Sequence, residues 1–318
     1  MCTFNGARYL TDQLESLIAQ MRTPDEVVIC DDCSTDSTLN LLKQFSASAP
    51  FPVNIYENTT RLGSTKNFER AISLCQGELI ALCDQDDIWE PAKLSSIEQR
   101  FAENANASLV FTDADVVDEH GNSLGYRLWD TLHFDKPLQD HIRSPAAFAL
   151  LDKREVVTGA TMAFRTKFRD LVLPIPDDTV LIHDGWIALM ISLAGSFDLV
   201  DRPLVKYRQH SGQQIGARHM QPSVQSIGVI EQAKRRNPFA QEIKKLEVVS
   251  ERIISRKNQY EFKLESDIAR RLHHLRRRLA ISQRKISGIP AAFTELVTGR
   301  YHRFSNGFYS FAKDLLTW

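Results

Sequence analysis

Three carboxylates fall within four residues of Cys83-Asp84-Gln85-Asp86-Asp87-Ile88-Trp89, directly after the apolar run Leu79-Ile80-Ala81-Leu82-Cys83. Such a run reads as a strand covered on both faces. Negative charges crowded at its carboxyl end repel one another unless a cation is near. Hard oxygen ligands of this kind suit a divalent ion, which in turn suits the diphosphate of a bound ligand. The plainer account is an acidic turn with Asp87 capping the next helix, but three acids against an apolar strand and a Trp exceed what a turn needs.

Three further clusters carry chemistry. Asp31-Asp32-Cys33-Ser34-Thr35-Asp36 follows a second apolar stretch. Acids there can accept hydrogen bonds from a base or ribose, and a helix starting near Ser34 would add its own donors; simple capping by Ser34 or Asp36 is the alternative. In Ile182-His183-Asp184-Gly185-Trp186, a carboxylate at a helix start can act as general base toward a hydroxyl. An N-cap Asp beside a packed Trp is the bland reading. In Tyr207-Arg208-Gln209-His210-Ser211-Gly212, His210 is a candidate metal ligand and Arg208 a candidate diphosphate contact. A lone His after a strand is more often structural.

The elements that must position these groups alternate from the start. Helical spacing of Leu10, Leu14, Leu17 and Ile18 predicts a helix over 7–20, and 26–30 reads as a buried strand. Helix 34–45, strand 53–56, helix 63–75, strand 79–83, a helix opened by Pro91 to about Glu103, and strand 109–111 follow. This alternation predicts an α/β fold with an open, doubly wound, mostly parallel sheet, whose ligands bind outside the carboxyl ends of the strands. Residues 118–154 read as irregular; 158–165 read as a strand, 182–193 as a helix and 197–207 as strand and turn. Only Met1 and Cys2 precede the loop Thr3-Phe4-Asn5-Gly6, so a central first strand has almost no residues to form it. The expectation is a truncated chain or a start lying upstream.

The net charge of −1 hides an asymmetry. Residues 222–318 carry 19 Lys+Arg against 9 Asp+Glu, leaving 20 and 31 in the first 221. That is a net of about +10 against about −11. The acidic part suits cation chemistry, and the basic part suits an anionic surface. Two domains are expected, 1–220 catalytic and 221–318 helical and basic, with the boundary at 218–221. Leu272, Leu275 and Leu279 recur at helical spacing among Arg270, Arg271, Arg276, Arg277, Arg278 and Lys285, with Ile286 beyond. With Phe304, Phe308, Tyr309, Phe311 and Trp318 they suggest peripheral membrane docking, or else packing or a homodimer arm. No binding motif for nucleic acid accompanies the charge. All five cysteines lie in the first 83 residues without framework spacing, which predicts reduced thiols. Cys30 and Cys33 have C-x-x-C spacing but bracket two acids rather than opening a helix. Met1–Asn5 lacks the basic region and apolar core of a secretory leader, and the chain is expected in the cytoplasm.

Taken in order, Thr3-Phe4-Asn5, Asp31-Asp32-x-Ser34-x-Asp36, Asp84-x-Asp86-Asp87-x-Trp89, Thr158-Gly159-Ala160, His183-Asp184-x-Trp186 and Tyr207-Arg208-Gln209-His210 resemble bacterial family 2 glycosyltransferases. Among these the look is of rhamnosyltransferase-like members that build O-antigen and capsule glycans. The resemblance covers about 1–217 and implies a GT-A fold, an inverting mechanism and Mg²⁺ or Mn²⁺. It places Asp31 and Asp32 in the nucleoside pocket with Thr3 and Asn5 nearby. It gives Asp84 and Asp86 the D-x-D role at the metal and donor ribose-phosphate, Asp184 the role of base, and His210 that of a late metal ligand. The donor would be a UDP- or dTDP-linked sugar, and the acceptor a glycan or lipid-linked glycan. The Q-x-x-R-W motif of processive relatives is absent, which argues against a polymerase. The implied reaction is a single displacement: the metal neutralises charge on the leaving diphosphate while Asp184 takes the acceptor proton.

Two other classes compete. A sugar-1-phosphate nucleotidyltransferase would want a Gly-rich loop with Arg and Lys after the first strand, where Asn5-Gly6-Ala7-Arg8 offers one Gly and one Arg. A non-catalytic homologue serving as a binding or scaffold subunit fits a short first strand, yet every candidate acid is present.

Overall fold

Alternating apolar strands and amphipathic helices begin at the first residues of the structure, a computed structural model that describes residues 1–177, 181–213, 239–284 and 288–316. Strand β1 (Cys2–Thr3) leads to α1 (Leu10–Ile18), β2 (Val27–Asp31), α2 (Thr38–Ser48), β3 (Val53–Glu57) and α3 (Ser64–Leu74). Then come β4 (Leu79–Ala81), β5 (Ile88–Trp89), α4 (Lys93–Glu103), β6 (Ala107–Val117) and β7 (Ser123–Arg127). The short helices α5 (Leu128–Thr131), α6 (Lys136–Ile142) and α7 (Ala147–Leu151) precede β8 (Met162–Arg165), α8 (Arg169–Val172), α9 (His183–Ala194) and β9 (Ser196–Arg208). The chain divides into two compact units: Met1–Ile175 with Leu181–Met220, and Pro176–Val180 with Gln221–Trp318. The expected boundary at 218–221 lies outside the described residues.

In the first unit β1, β2 and β3 form a parallel sheet in that order, with Cys2 opposite Cys30 and Thr3 opposite Asp31. A six-stranded mixed sheet runs β4-β8-β6-β9-β5, with β7 on β6. There β6 and β9 are parallel and the other pairs antiparallel. The two sheets meet at β1, whose Cys2 N–H donates to Cys83 O at 3.4 Å. The first strand therefore holds the central place, with two residues. Asp31 ends β2, and Asp84 follows close on β4, so both acidic clusters lie at carboxyl ends of strands.

Two stretches differ from their sequence pattern. Of the strand read over 158–165, only β8 joins a ladder; Gly159–Thr161 is a 3₁₀ turn whose backbone groups serve the site described below. The stretch 118–154 holds β7 and three short helices. Trp129 and Phe134 stack on Phe111 of β6 and on each other, so tertiary packing orders a segment with no period of its own.

The second unit is helical: α10 (Ala240–Arg256), α11 (Glu265–Arg284), α12 (Ile289–Val297), α13 (Arg300–Phe304) and α14 (Phe308–Leu316). Ile243, Leu246, Val249 and Ile253 form the buried face of α10. Leu272 and Leu275 are buried against these neighbours, so the leucine stripe faces its own unit's core rather than an outside surface. The reason is that a stripe this apolar finds four partner helices within its own chain. Lys285, Ile286 and Trp318, which the same reading invoked, lie outside the described residues. Phe293, Val297, Phe308 and Tyr309 are the large apolar side chains left exposed on α12 and α14. Within the core, Arg278 holds Asp314 through two bonds of 2.6 and 2.7 Å, and His274 bridges Glu295 and Ser305. No helix of the described residues is long and apolar enough to cross a membrane.

Candidate functional site

The acidic turn is gripped from three sides. After it, β5 pairs with β9, setting Ile88 opposite Lys206 and Trp89 opposite Val205. Arg208, two residues on, donates its backbone N–H to Asp87 Oδ1 at 3.0 Å and its Nε–H to the Asp86 carbonyl at 2.7 Å. On the other side Gln85 accepts from Phe4 N–H at 2.9 Å and donates to Phe4 O at 3.1 Å, clasping the turn to the first loop. Gly6 leaves the space that Gln85 occupies, since a Cβ there would fall 2.1 Å from Gln85 Oε1.

The charges are strained. Burial, then the Asp86 and Asp184 carboxylates, push the Asp84 carboxyl up to about 7. Burial, with Asp86 and Asp84, raises Asp87 well above the usual carboxylate range, and its Oδ2 is buried with no hydrogen-bond partner. His210 Nε2 lies 2.8 Å from Asp86 Oδ2, its ring 4.6 Å from that of Tyr9. Among the described residues no three His, Cys, Asp or Glu side chains gather closely enough to hold an ion by themselves. Asp86 and His210 form a two-residue donor pair of the chemistry a divalent ion takes, and crowded carboxylates with an orphaned buried oxygen are what such an ion relieves. The residues fit the group provided a ligand's oxygens complete the shell.

Beneath the turn lies a group the sequence reading missed. Lys93 is wholly buried, its Nζ donating to Ala160 O at 2.6 Å and standing 3.5 Å over the Trp89 ring. Burial pulls it down to about 7, against Cys83, Asp87 and Asp84, which raise it. The signal was present: Lys93 is in register with Ile97 and Phe101, both on the inward face of α4.

Asp184 sits in the first turn of α9. Its Oδ1 accepts from the Gly185 N–H at 2.7 Å and its Oδ2 from the Gly159 N–H at 2.9 Å. Gly159 lets the two sides meet closely: a Cβ there would stand 3.2 Å from His183 Nε2 and 3.3 Å from Asp184 Cβ, so both would have to give by a few tenths of an ångström. His183 is buried and stacked on Phe68 at 4.1 Å; burial lowers its pKa despite Asp184. Trp186 is a core residue, its indole N–H bonded to Val172 O at 2.8 Å.

The residues expected around a nucleoside form a network among themselves. Asp31 is buried and accepts from Ser34 N–H, Ser34 O–H and Thr3 O–H at 2.6 to 2.8 Å. Asp32 is buried and accepts from Asn58 Nδ2 and from the backbone N–H groups of Leu62 and Gly63, just ahead of α3. Asn5, at φ 46°, accepts from Thr35 N–H while its own N–H goes to Ser34 Oγ. The helix after this loop begins at Thr38, so Ser34 serves Asp31 and Asn5 rather than capping. These contacts shape the loops that face the rim. Arg61, exposed and stacked 3.8 Å over the Phe4 ring, is a further cation on this side that the sequence reading passed over.

Arg208 differs most from expectation. The residue is 1% exposed, its guanidinium bonded to Asp86 O, Glu119 O and Asp12 Oδ2 and stacked over Tyr9. It braces the acidic turn from below, where the sequence reading had it reaching for a diphosphate.

Residues 1–169 match the family model described as Glycosyl transferase family 2. The dTDP-rhamnosyl transferase RfbG of Shigella flexneri is 29% identical over 228 residues, covering 68% of this chain and 74% of the relative. The uncharacterized protein Rv1520 of Mycobacterium tuberculosis is 26% identical over 211 residues, covering 66% of this chain and 57%, little more than half, of the relative. Among solved structures, residues 1–349 of S. aureus TarS in complex with UDP-GlcNAc superpose with a TM-score of 0.61 at 17% identity, covering 99% of this chain and 86% of that one. That likeness is one of fold.

Proposed function

The chain belongs to glycosyl transferase family 2 and is a glycosyltransferase with a GT-A fold, and on that premise we propose that it moves a sugar, with inversion, from a UDP- or dTDP-linked donor to a hydroxyl of a glycan or lipid-linked glycan. The setting we propose is O-antigen or capsule synthesis at the inner face of the membrane. One observation carries the reading: Gly159 N–H holds Asp184 Oδ2 at 2.9 Å, and the next carbonyl, Ala160 O, takes the Nζ of Lys93, which lies 3.5 Å over the Trp89 ring that ends the acidic turn, so the turn and Asp184 are close neighbours. Donor and base must be neighbours for a single displacement.

In this mechanism Asp86 and His210 would hold Mg²⁺ or Mn²⁺, with donor oxygens completing the shell. The ion, when bound, supplies positive charge against the leaving diphosphate. Asp84, close behind β4, faces the donor's ribose-phosphate. The loops braced by Asp31, Asp32, Thr3 and Asn5 form the nucleoside side. Asp184, its Oδ2 oriented by the Gly159 N–H, takes the proton from the acceptor hydroxyl as that oxygen attacks the anomeric carbon. Residues 221–318 act as a docking or pairing arm, with Phe293, Val297, Phe308 and Tyr309 exposed in a region rich in Lys and Arg. The names of the relatives support the donor class: one is a dTDP-rhamnosyl transferase, and a structural neighbour was solved with UDP-GlcNAc. The test is release of nucleoside diphosphate from dTDP-rhamnose and UDP-GlcNAc with Mn²⁺ and with EDTA. No release from either donor with Mn²⁺ present overturns the reading.

A further inference from the structure

Among the described residues Lys93 is the one buried ammonium, and the mechanism above does not use it. It opens α4 from beneath the acidic turn, and its hydrogen bond goes to a neutral carbonyl, Ala160 O, rather than to a carboxylate. An ammonium buried on one neutral acceptor and one indole face is a costly choice for stability. Its counter-charges are the acids of the turn and its one hydrogen bond goes to the Ala160 carbonyl, so its burial is offset only through those two neighbours. What the charge does there must therefore be sought in the site.

Two contacts locate that role. The Nζ lies over Trp89, which closes the acidic turn, and its charge acts on Asp87 and Asp84 from below. Its hydrogen bond holds Ala160 in the Gly159–Thr161 turn, and the neighbouring Gly159 N–H holds Asp184 Oδ2. One side chain thus ties the donor-side acids to the peptide that orients the acceptor-side carboxylate. We infer that Lys93 is a positioning residue for sugar transfer, setting Asp184 through the Gly159–Thr161 turn while its ammonium balances the acidic turn. The inference rests on the function proposed above.

The experiment compares the full chain with Lys93→Met, alone and in an Asp184→Asn background, using nucleoside diphosphate release from dTDP-rhamnose or UDP-GlcNAc with Mn²⁺. Lys93→Met is expected to fold but to melt below the wild-type temperature, because it leaves the Ala160 carbonyl unpaired and the buried acids without their counter-charge. Its kcat is expected to fall at least about tenfold with donor KM within about threefold, the pattern of an interaction that matters in the transition state. In the Asp184→Asn background the same substitution should cost less than about twofold, since residues acting as one unit are not additive. Wild-type kcat in Lys93→Met overturns the inference alone, as does an equal fold-loss in both backgrounds. Silence of the wild-type chain with both donors overturns the function reading and this inference with it.

Discussion

His210 Nε2 and Asp86 Oδ2 stand 2.8 Å apart across 124 residues of chain. The contact joins the loop after β9 to the turn after β4, bringing two clusters distant in sequence into one place.

That pairing gives the first expectation. His210→Ala should weaken Mn²⁺ binding and nucleoside diphosphate binding together, by about 10- to 100-fold, as loss of a metal-site partner does. Calorimetric titration of Mn²⁺ into variant and wild type decides it. An unchanged isotherm would leave His210 a structural residue.

Asp184→Asn should cut kcat by at least about 100-fold with donor KM nearly unchanged, because a proton acceptor acts in the transition state. The amide can still accept from Gly159 N–H, so the fold should survive. Loss of donor binding instead would move Asp184 to the donor site.

Stability should depend on pH through Asp84. Its carboxyl is raised to about 7 from the ordinary 3.8, so the folded chain binds this proton more tightly than the unfolded one. The stability contributed by Asp84 therefore falls as pH rises from about 4 to about 7 and levels beyond. Asp84→Asn should flatten that fall in melting curves taken in EDTA. The same melting profile over this range in Asp84→Asn and wild type would contradict the assignment.

The helical unit should bring the chain to anionic lipid. Phe293, Val297, Phe308 and Tyr309 are exposed in a region whose net charge is about +10, and a basic group near such a surface contributes about 1 kcal/mol. Co-sedimentation with liposomes containing anionic lipid should pull down the full chain, and a chain ending at Gln221 should stay behind. If both stay in the supernatant at low salt, the arm serves packing or pairing of subunits.

How far the sequence led can be judged residue by residue. The acidic turn was legible because Leu79–Cys83 is apolar throughout, and local composition alone marks a buried strand followed by charge. The helix start around Asp184, which the structure places in the first turn of α9, was legible. Arg208 was not, because a sequence displays its charge but not its depth. Its burial depends on Asp12 and Glu119, distant in the chain. Gln85 gave no signal, since its clasp on Phe4 exists only once two loops meet. Lys93 lay in plain helical register with Ile97 and Phe101 and was passed over because charge is read as exposure. The leucine stripe was seen correctly as a face, but periodicity does not say what a face meets.

Arg208 and Asp12 are separated by 196 positions, and the side chain of one holds the other. Chains are synthesised at about 5–20 residues per second, so Asp12 leaves the ribosome roughly 10 to 40 seconds before its partner. For that interval the acidic turn exists without β9, without the backbone N–H that Asp87 accepts, and without His210. A nascent chain can build the first parallel strands and the helices on them, but not a finished binding rim. The grip of β9 on the acidic turn arrives with the last strand, at the end of synthesis of this unit.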